Sequence, residues 1–404
     1  MTEQMHKKYP KPLSDYRALL PAAERYTYMN SGGCGPLPIP VVRKMEDVFD
    51  RMMEQGQVNV EIHDWLKDVL EDVRKEVADF INASPEEIFF VRCIAEGLNT
   101  ISRMFTWEEG DEVLISDQEN PASILPFFAI EPIFHTKTQY FHGIGNKEQL
   151  IEQFSQQLNE RTKMCVVSHV FHTTGCAIPA EEMCHEAEAR GIITVLDGAQ
   201  AAGNIPIDVK KLGCSFYLLS CHKWLCGLEG VAAVYIRKDL LPKVRVPFGG
   251  VGMQQSFDFE NHTIQMQPDA HRFEYGGRHT PMYVAFAETI RFAREIGTER
   301  IYQRIHELHL YCREQFERRL PQVEILSPSD ERLITGIFAF RVPGIDHREL
   351  VKLAWKEWDI IIQWRTVNLF TKEEGIRVSL NWFIQEEEID RLITAMEALI
   401  RRLL

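Results

Sequence analysis

Short apolar runs alternate with amphipathic stretches along most of the chain. The region from Val41 to Phe80 is expected to be one long helical stretch. Beyond it, Glu87–Arg92 (EIFFVR) reads as a strand followed by a helix from Glu96, and Glu112–Ser116 (EVLIS) as a short buried strand. A helix near Pro121 and a strand at Thr138–Phe141 come next. Met164–His169 (MCVVSH) and Ile192–Asp197 (IITVLD) read as central strands bracketing a helix at Ala180–Arg190, and Phe216–Ser220 and Val231–Ile236 complete the set. Strands that are apolar throughout and alternate with helices predict an α/β fold with a mainly parallel, seven-stranded sheet covered on both faces.

The segment Pro247–His279 breaks this rhythm. It carries Gly249, Gly250 and Gly252, has few long apolar runs and ends in FEYGGRHT, so it reads as an extended loop region of the kind that carries function. Helices from Val284 and Glu299 follow. Strand and helix then alternate through Gly336–Arg341, His347–Trp358, Ile360–Trp364, Ile376–Leu380 and Glu386–Leu403. The expected division is an N-terminal segment, 1–35, packing with a small C-terminal α/β domain, 285–404, and a large domain, 36–284.

Composition narrows the class. Hydrophobic residues make up 45% and charged residues 26% of the 404, ordinary for a globular protein. No apolar run has the length of a membrane span, and the N-terminal stretch lacks a secretory pattern, so a cytoplasmic protein is expected. The formal charge of −14 argues against a nucleic-acid partner. The nine cysteines contain no C-x-x-C pair, so neither a disulfide framework nor a zinc spacing is expected. Cys176, Cys184 and His185 read as packed or solvated side chains, and Cys221 and Cys226 as small hydrophobes.

The chemistry concentrates in VLDGAQAAGNIPIDVKKLGCSFYLLSCHKWLCGLEGVAAVY. Asp197 stands at the carboxyl end of one apolar strand, where ligands of open α/β sheets bind. Lys223 follows 223 − 197 = 26 residues later, just after another strand. Pyridoxal 5′-phosphate (PLP) needs this pair: an amine to form a Schiff base with its aldehyde and a carboxylate to pair with its protonated pyridine nitrogen. Taken singly, Asp-Gly after a strand is usually a turn and a lone histidine usually a packing residue. Their order and spacing together favour the cofactor reading.

The D-G-A-Q and S-x-H-K segments closely resemble the class V branch of fold-type I PLP-dependent transferases. That branch includes cysteine desulfurases, C–S lyases, isopenicillin-N-epimerase-like proteins and aminotransferases, and the resemblance spans nearly the whole chain. It implies that Asp197 binds the pyridine nitrogen, Gln200 lies near the cofactor 3′-oxygen, Ser220 and His222 contact the phosphate, and Lys223 carries the Schiff base and moves protons. RCIAEGLN (Arg92–Asn99), following a strand and opening a helix, resembles the family's phosphate-binding segment. Ala95 replaces a hydroxyl residue there, leaving the backbone donors of Ala95 and Glu96. FEYGGRHT resembles the segment that reaches the phosphate of a neighbouring subunit. Gly277 replaces its threonine, and Arg278 is an added candidate contact. The resemblance thus implies a homodimer with shared active sites.

In SHVFHTTG, His172 and Thr173 stand where the family has an asparagine near the 3′-oxygen. In SDQENP, Asn120 stands where many relatives stack a histidine on the cofactor ring. GIRVSL matches the segment whose arginine, here Arg377, binds the carboxylate of an α-amino acid. SGGCGP (Ser31–Pro36) resembles a glycine-rich turn near the substrate. Gln363–Leu380 has no cysteine where the desulfurases carry their nucleophile, and its Arg365–Thr366 resembles the loop of the C–S lyases. The expectation is therefore β-elimination from a cysteine-like substrate. An aminotransferase or epimerase is the alternative, with a catalytically silent PLP-binding regulator behind both.

Overall fold

The computed structural model describes residues 11–368 and 370–404. The expected single helix from Val41 to Phe80 is two helices, Ile39–Gln55 and Val60–Phe80. Gly56 ends the first with φ 75°, in the left-handed region that side chains disfavour. Asn59 starts the second, its side-chain oxygen accepting from the Ile62 N–H at 2.9 Å.

After a short strand β1 (Thr27–Tyr28), the large sheet is built from β2 (Ile88–Val91), β3 (Glu112–Ser116), β4 (Lys137–Phe141), β5 (Thr162–Ser168), β6 (Ile193–Asp197), β7 (Phe216–Ser220) and β8 (Ala232–Ile236). Its order is β2-β8-β7-β6-β5-β3-β4, and only β8 runs antiparallel to its neighbours. The five strands β2, β3, β6, β7 and β8 are buried along nearly their whole length, because helices cover both faces. Two separate apolar clusters lie against those faces. The loop region after residue 247 contains an exposed hairpin, β9 (Gln254–Asp258) and β10 (Thr263–Met266).

A second, antiparallel sheet contains β11 (Glu324–Ile325), β12 (Ile337–Arg341), β14 (Gln363–Thr366) and β15 (Glu374–Ser379), in the order β11-β12-β15-β14. The helices Thr298–Arg319, His347–Trp358 and Glu386–Leu403 accompany it. The helix Thr280–Ile296 spans position 285 and packs against both helices of the 39–80 region. Of the expected N-terminal segment 1–35, residues 1–10 lie outside the described residues, and residues 27–29 meet the C-terminal part of the chain. β1 pairs in parallel with β13 (Ile360–Ile361), and the Ser379 N–H donates to the Met29 carbonyl at 2.8 Å. Among the described residues, no helix is long and apolar enough to cross a membrane.

Candidate active site

Strands β5, β6 and β7 lie side by side and parallel, so their carboxyl ends form one edge. Asp197 ends β6 and is buried. Its two carboxylate oxygens accept from the Ser123 hydroxyl at 2.8 Å and the Ala199 N–H at 2.9 Å. Ser123 sits in the first turn of the helix Pro121–Phe128, so that helix fixes the carboxylate's orientation. Asn120 caps the same helix, its side-chain oxygen accepting from the Ala122 N–H at 2.9 Å. The amide NH2 of Asn120 is left free of that capping bond.

Lys223 lies in the loop after β7. Burial pushes its amine down to about 8, opposed by the Asp197 charge and reinforced by Arg377 and Arg365. At pH 7 roughly a tenth is therefore the neutral, nucleophilic form, far more than for an ordinary lysine. Burial also pushes the half-buried His222 down to about 4, with the Lys223 charge adding to the effect. Gln200 is anchored at both ends of its amide: Nε2 donates to the Gly32 carbonyl and Oε1 accepts from the Trp224 indole, each at 2.9 Å.

Several polar atoms at this edge are buried without a hydrogen-bond partner among the described residues: Ser220 Oγ, Thr173 Oγ1, His172 Nδ1, Arg365 Nε and Arg377 Nε. Leaving such a group unpaired is costly, so their convergence marks a place prepared for a polar ligand. Their chemistry suits PLP and an amino acid: a hydroxyl at the end of β7, a hydroxyl and an imidazole after β5, and guanidinium groups on β14 and β15. His172 is held well below its usual range, first by burial and then by the charges of Arg377, Arg365 and Lys223.

Arg377 is almost wholly buried. Its Nη1 donates to the His172 carbonyl at 3.0 Å and its Nη2 to Asn30 Oδ1 at 3.2 Å. Burial and the neighbouring Arg365 charge both push its pKa down, a cost that a bound carboxylate would relieve. Arg365 comes close because β14 and β15 pair antiparallel with Gln363 opposite Arg377.

The turn Ser31–Pro36 closes over these groups. The Gly32 N–H donates to Ser379 Oγ at 3.0 Å and the Gly35 N–H to the His222 carbonyl at 2.7 Å. A Cβ at Gly35 would lie 2.3 Å from the Lys223 carbonyl oxygen, so only glycine permits this approach.

The remaining sequence candidates lie further out or serve other partners. Ala95 and Glu96 are the second and third residues of the helix Ile94–Ser102. The Glu96 carboxylate turns back to accept from the Arg92 N–H at 2.6 Å, which leaves backbone N–H groups as the donors available there. Gly277 is exposed, with nothing among the described residues within 4 Å of a Cβ placed on it. Arg278 lies 3.8 Å from Glu274.

Two residues carried no sequence signal. One is Ser123. The other is Glu119, which is fully buried and accepts from the Ser168 N–H at 2.8 Å and from the Ser116 hydroxyl at 3.1 Å. Burial pushes its carboxyl up to about 7 against the Ser168 bonds, and the Asp197 charge acts in the same direction.

The aminotransferase class-V sequence profile matches residues 27–392. An isopenicillin N epimerase from Amycolatopsis lactamdurans is 27% identical over 92% of this chain and 95% of its own. The apo cysteine desulfurase of Thermococcus onnurineus NA1 superposes with a TM-score of 0.88 at 24% identity, covering 96% of this chain and 98% of that one. The cystine C–S lyase C-DES, solved in complex with its reaction product cysteine persulfide, superposes at 0.85 with 23% identity, covering 93% and 98%.

Proposed function

Because the chain belongs to the aminotransferase class-V family, whose members are PLP-dependent enzymes, we propose that it removes a β-substituent from an α-amino acid, cleaving the C–S bond of a cysteine-like substrate. The observation that carries this reading is the convergence of Arg365 and Arg377 beside Lys223 on strands whose connecting residues, Val367–Glu373, contain no thiol. Cys34, which acts electrostatically on Lys223, is pushed up to about 11 by burial and by its bond to Glu229, so it is a poor acceptor of sulfur.

PLP, when bound, draws electrons away from the substrate Cα and so eases loss of the proton there. Asp197, oriented by Ser123 and the Ala199 N–H, would keep the pyridine nitrogen protonated. Ser220, His222 and the backbone N–H groups of Ala95 and Glu96 would hold its phosphate, and Gln200 with His172 or Thr173 would serve its 3′-oxygen. Arg377, with Arg365 beside it, fixes the substrate carboxylate. Lys223, already poised near neutrality, takes the Cα proton.

A second copy of the chain completes the site through the backbone of Gly277. In support, Phe49, Met52 and Met53 with Arg278–Pro281 line an open cavity of about 510 Å³, and Met53, Val58 and Val60 are strongly exposed. Kinship to an epimerase supports a second reading, in which the Cα proton returns to the opposite face.

The test is a product assay on the holoenzyme with a panel of amino acids, cysteine and cystine included, and no keto acid added. Pyruvate and ammonia accumulating beyond one equivalent are expected. Pyridoxamine phosphate stopping at one equivalent would make it an aminotransferase, and racemised substrate alone an epimerase.

A further inference from the structure

Beside the lysine loop lies a set of donors of which two, Cys34 and Glu229, have no part in the chemistry proposed above. Cys34 comes from the N-terminal turn, His222 immediately precedes Lys223, and Glu229 lies in the loop before β8. One donor atom from each lies within 4.8 Å of the other two, and Cys34 Sγ is 3.3 Å from Glu229 Oε1. We infer that Cys34, His222 and Glu229 form a binding site for a soft divalent cation of the zinc class.

Thiolate, imidazole and carboxylate are the three ligand types zinc takes in proteins, with bonds of about 2.0–2.3 Å. Donors on a tetrahedral centre of that size stand roughly 3.3–3.8 Å apart. The sulfur–carboxylate pair already has that separation, so side-chain rotation of the order of 1 Å brings the third donor in. The turn itself is fixed before any cation arrives. The Gly35 N–H is bonded to the His222 carbonyl at 2.7 Å, and the Tyr28 hydroxyl donates to the Cys34 carbonyl at 2.9 Å. These two bonds hold the backbones of Cys34 and His222 in fixed proximity, so only side-chain freedom is lost on binding. Glu229 is exposed and gives a path from solvent, while Cys34 and His222 are half-buried.

Binding exchanges the Cys34 S–H for an S–metal bond, with the proton passing to water. Three protein ligands leave a fourth position open, as in catalytic rather than structural zinc sites. The cation would stand next to Lys223 and would occupy a ring nitrogen of His222. If that nitrogen serves the cofactor phosphate, as proposed above, cation and cofactor oppose each other, each weakening the other by the same factor. This antagonism rests on the proposed function, whereas the cation site does not.

Zn²⁺ would be titrated against a chromophoric chelator, using the holoenzyme and the protein stripped of cofactor. One equivalent should bind to the stripped protein. Cys34→Ser and Glu229→Gln should each weaken it by about tenfold or more, the least loss expected when a direct ligand rather than an outer partner is removed. Glu229→Gln is a surface change and keeps the test valid if Cys34→Ser fails to fold. Absence of binding in both forms, or binding that neither variant weakens, would overturn the site. Equal affinities in the two forms, with both variants weakened, would uphold the cation site and remove His222 from the phosphate.

Discussion

Replacing Arg377 by alanine should separate substrate recognition from cofactor binding. In the structure two of its N–H groups are committed to the His172 carbonyl and Asn30 Oδ1, while Nε–H is buried and unpaired. The free edge of the guanidinium can therefore give a carboxylate a paired contact. Two charge-assisted bonds at about 1.5 kcal/mol each amount to about 3 kcal/mol, roughly 150-fold in the dissociation constant. The assay follows the absorbance of the bound cofactor while cysteine, and separately cysteamine, is titrated in. Cysteamine lacks the carboxylate and acts as an internal control for everything except the proposed contact. Wild type should discriminate between them by about two orders of magnitude. Arg377→Ala should bind both alike, with the cofactor constant changed by less than about threefold. Arg377→Lys keeps charge without the planar fork and should fall between the two. Because the deletion also strips His172 and Asn30 of a partner, melting curves accompany the titrations. A variant that keeps the discrimination, or loses cofactor and cysteine in equal measure, refutes the assignment.

Further outcomes follow from the lysine loop. Uptake of PLP by the stripped protein needs the neutral Lys223 amine, so its rate should rise about tenfold per pH unit below about 8 and level off above it. A rate still climbing steeply towards the ordinary lysine value of 10.5 would show that burial does not depress this amine. Lys223→Ala should hold no PLP that borohydride can fix covalently, and labelling of another lysine would reassign the role. Gly35→Ala places a methyl against two backbone atoms, the Lys223 oxygen and the Cys226 Cα, at 2.3 and 2.8 Å. Such overpacking costs about 1–3 kcal/mol. Both the melting temperature and the rate of PLP uptake should drop, and unchanged values for both would mean that the turn does not close on the loop as described.

The sheet was readable because most of its strands are apolar along nearly their whole length and each central one ends in a change of character: Ser168, Asp197 and Ser220. Arg377 was legible only through the match of GIRVSL to the family segment, because a strand arginine taken alone is more often exposed. The break at Gly56–Asn59 was also present in the letters, as a glycine stop followed by an asparagine start, but the continuous amphipathic pattern on either side obscured it. Glu119 was not legible. SDQENP has the composition of a surface turn, and its burial comes only from the packing of β3 beside β5, where Ser168 meets the carboxylate. Nor could any local rule bring Cys34 to Glu229, 195 residues away. Metal spacing is recognised in sequence when all ligands share one loop, and here Cys34 comes from a turn far from the β7–β8 loop that holds His222 and Glu229.

The N-terminal turn also constrains how the protein is made. Asn30 is bonded to Gln363 and Arg377, and Gly32 to Ser379, so residues at the start of the chain meet partners about 350 positions later. Contacts of such long range form late and slowly. While the ribosome is still extending the chain, β5, β6 and β7 can assemble with Lys223 and Asp197, yet the guanidinium and the strand that steadies the turn do not yet exist. The complete pocket thus becomes available only once β15 has emerged. A nascent chain arrested before β15 would carry the reactive amine without the group that selects what reaches it.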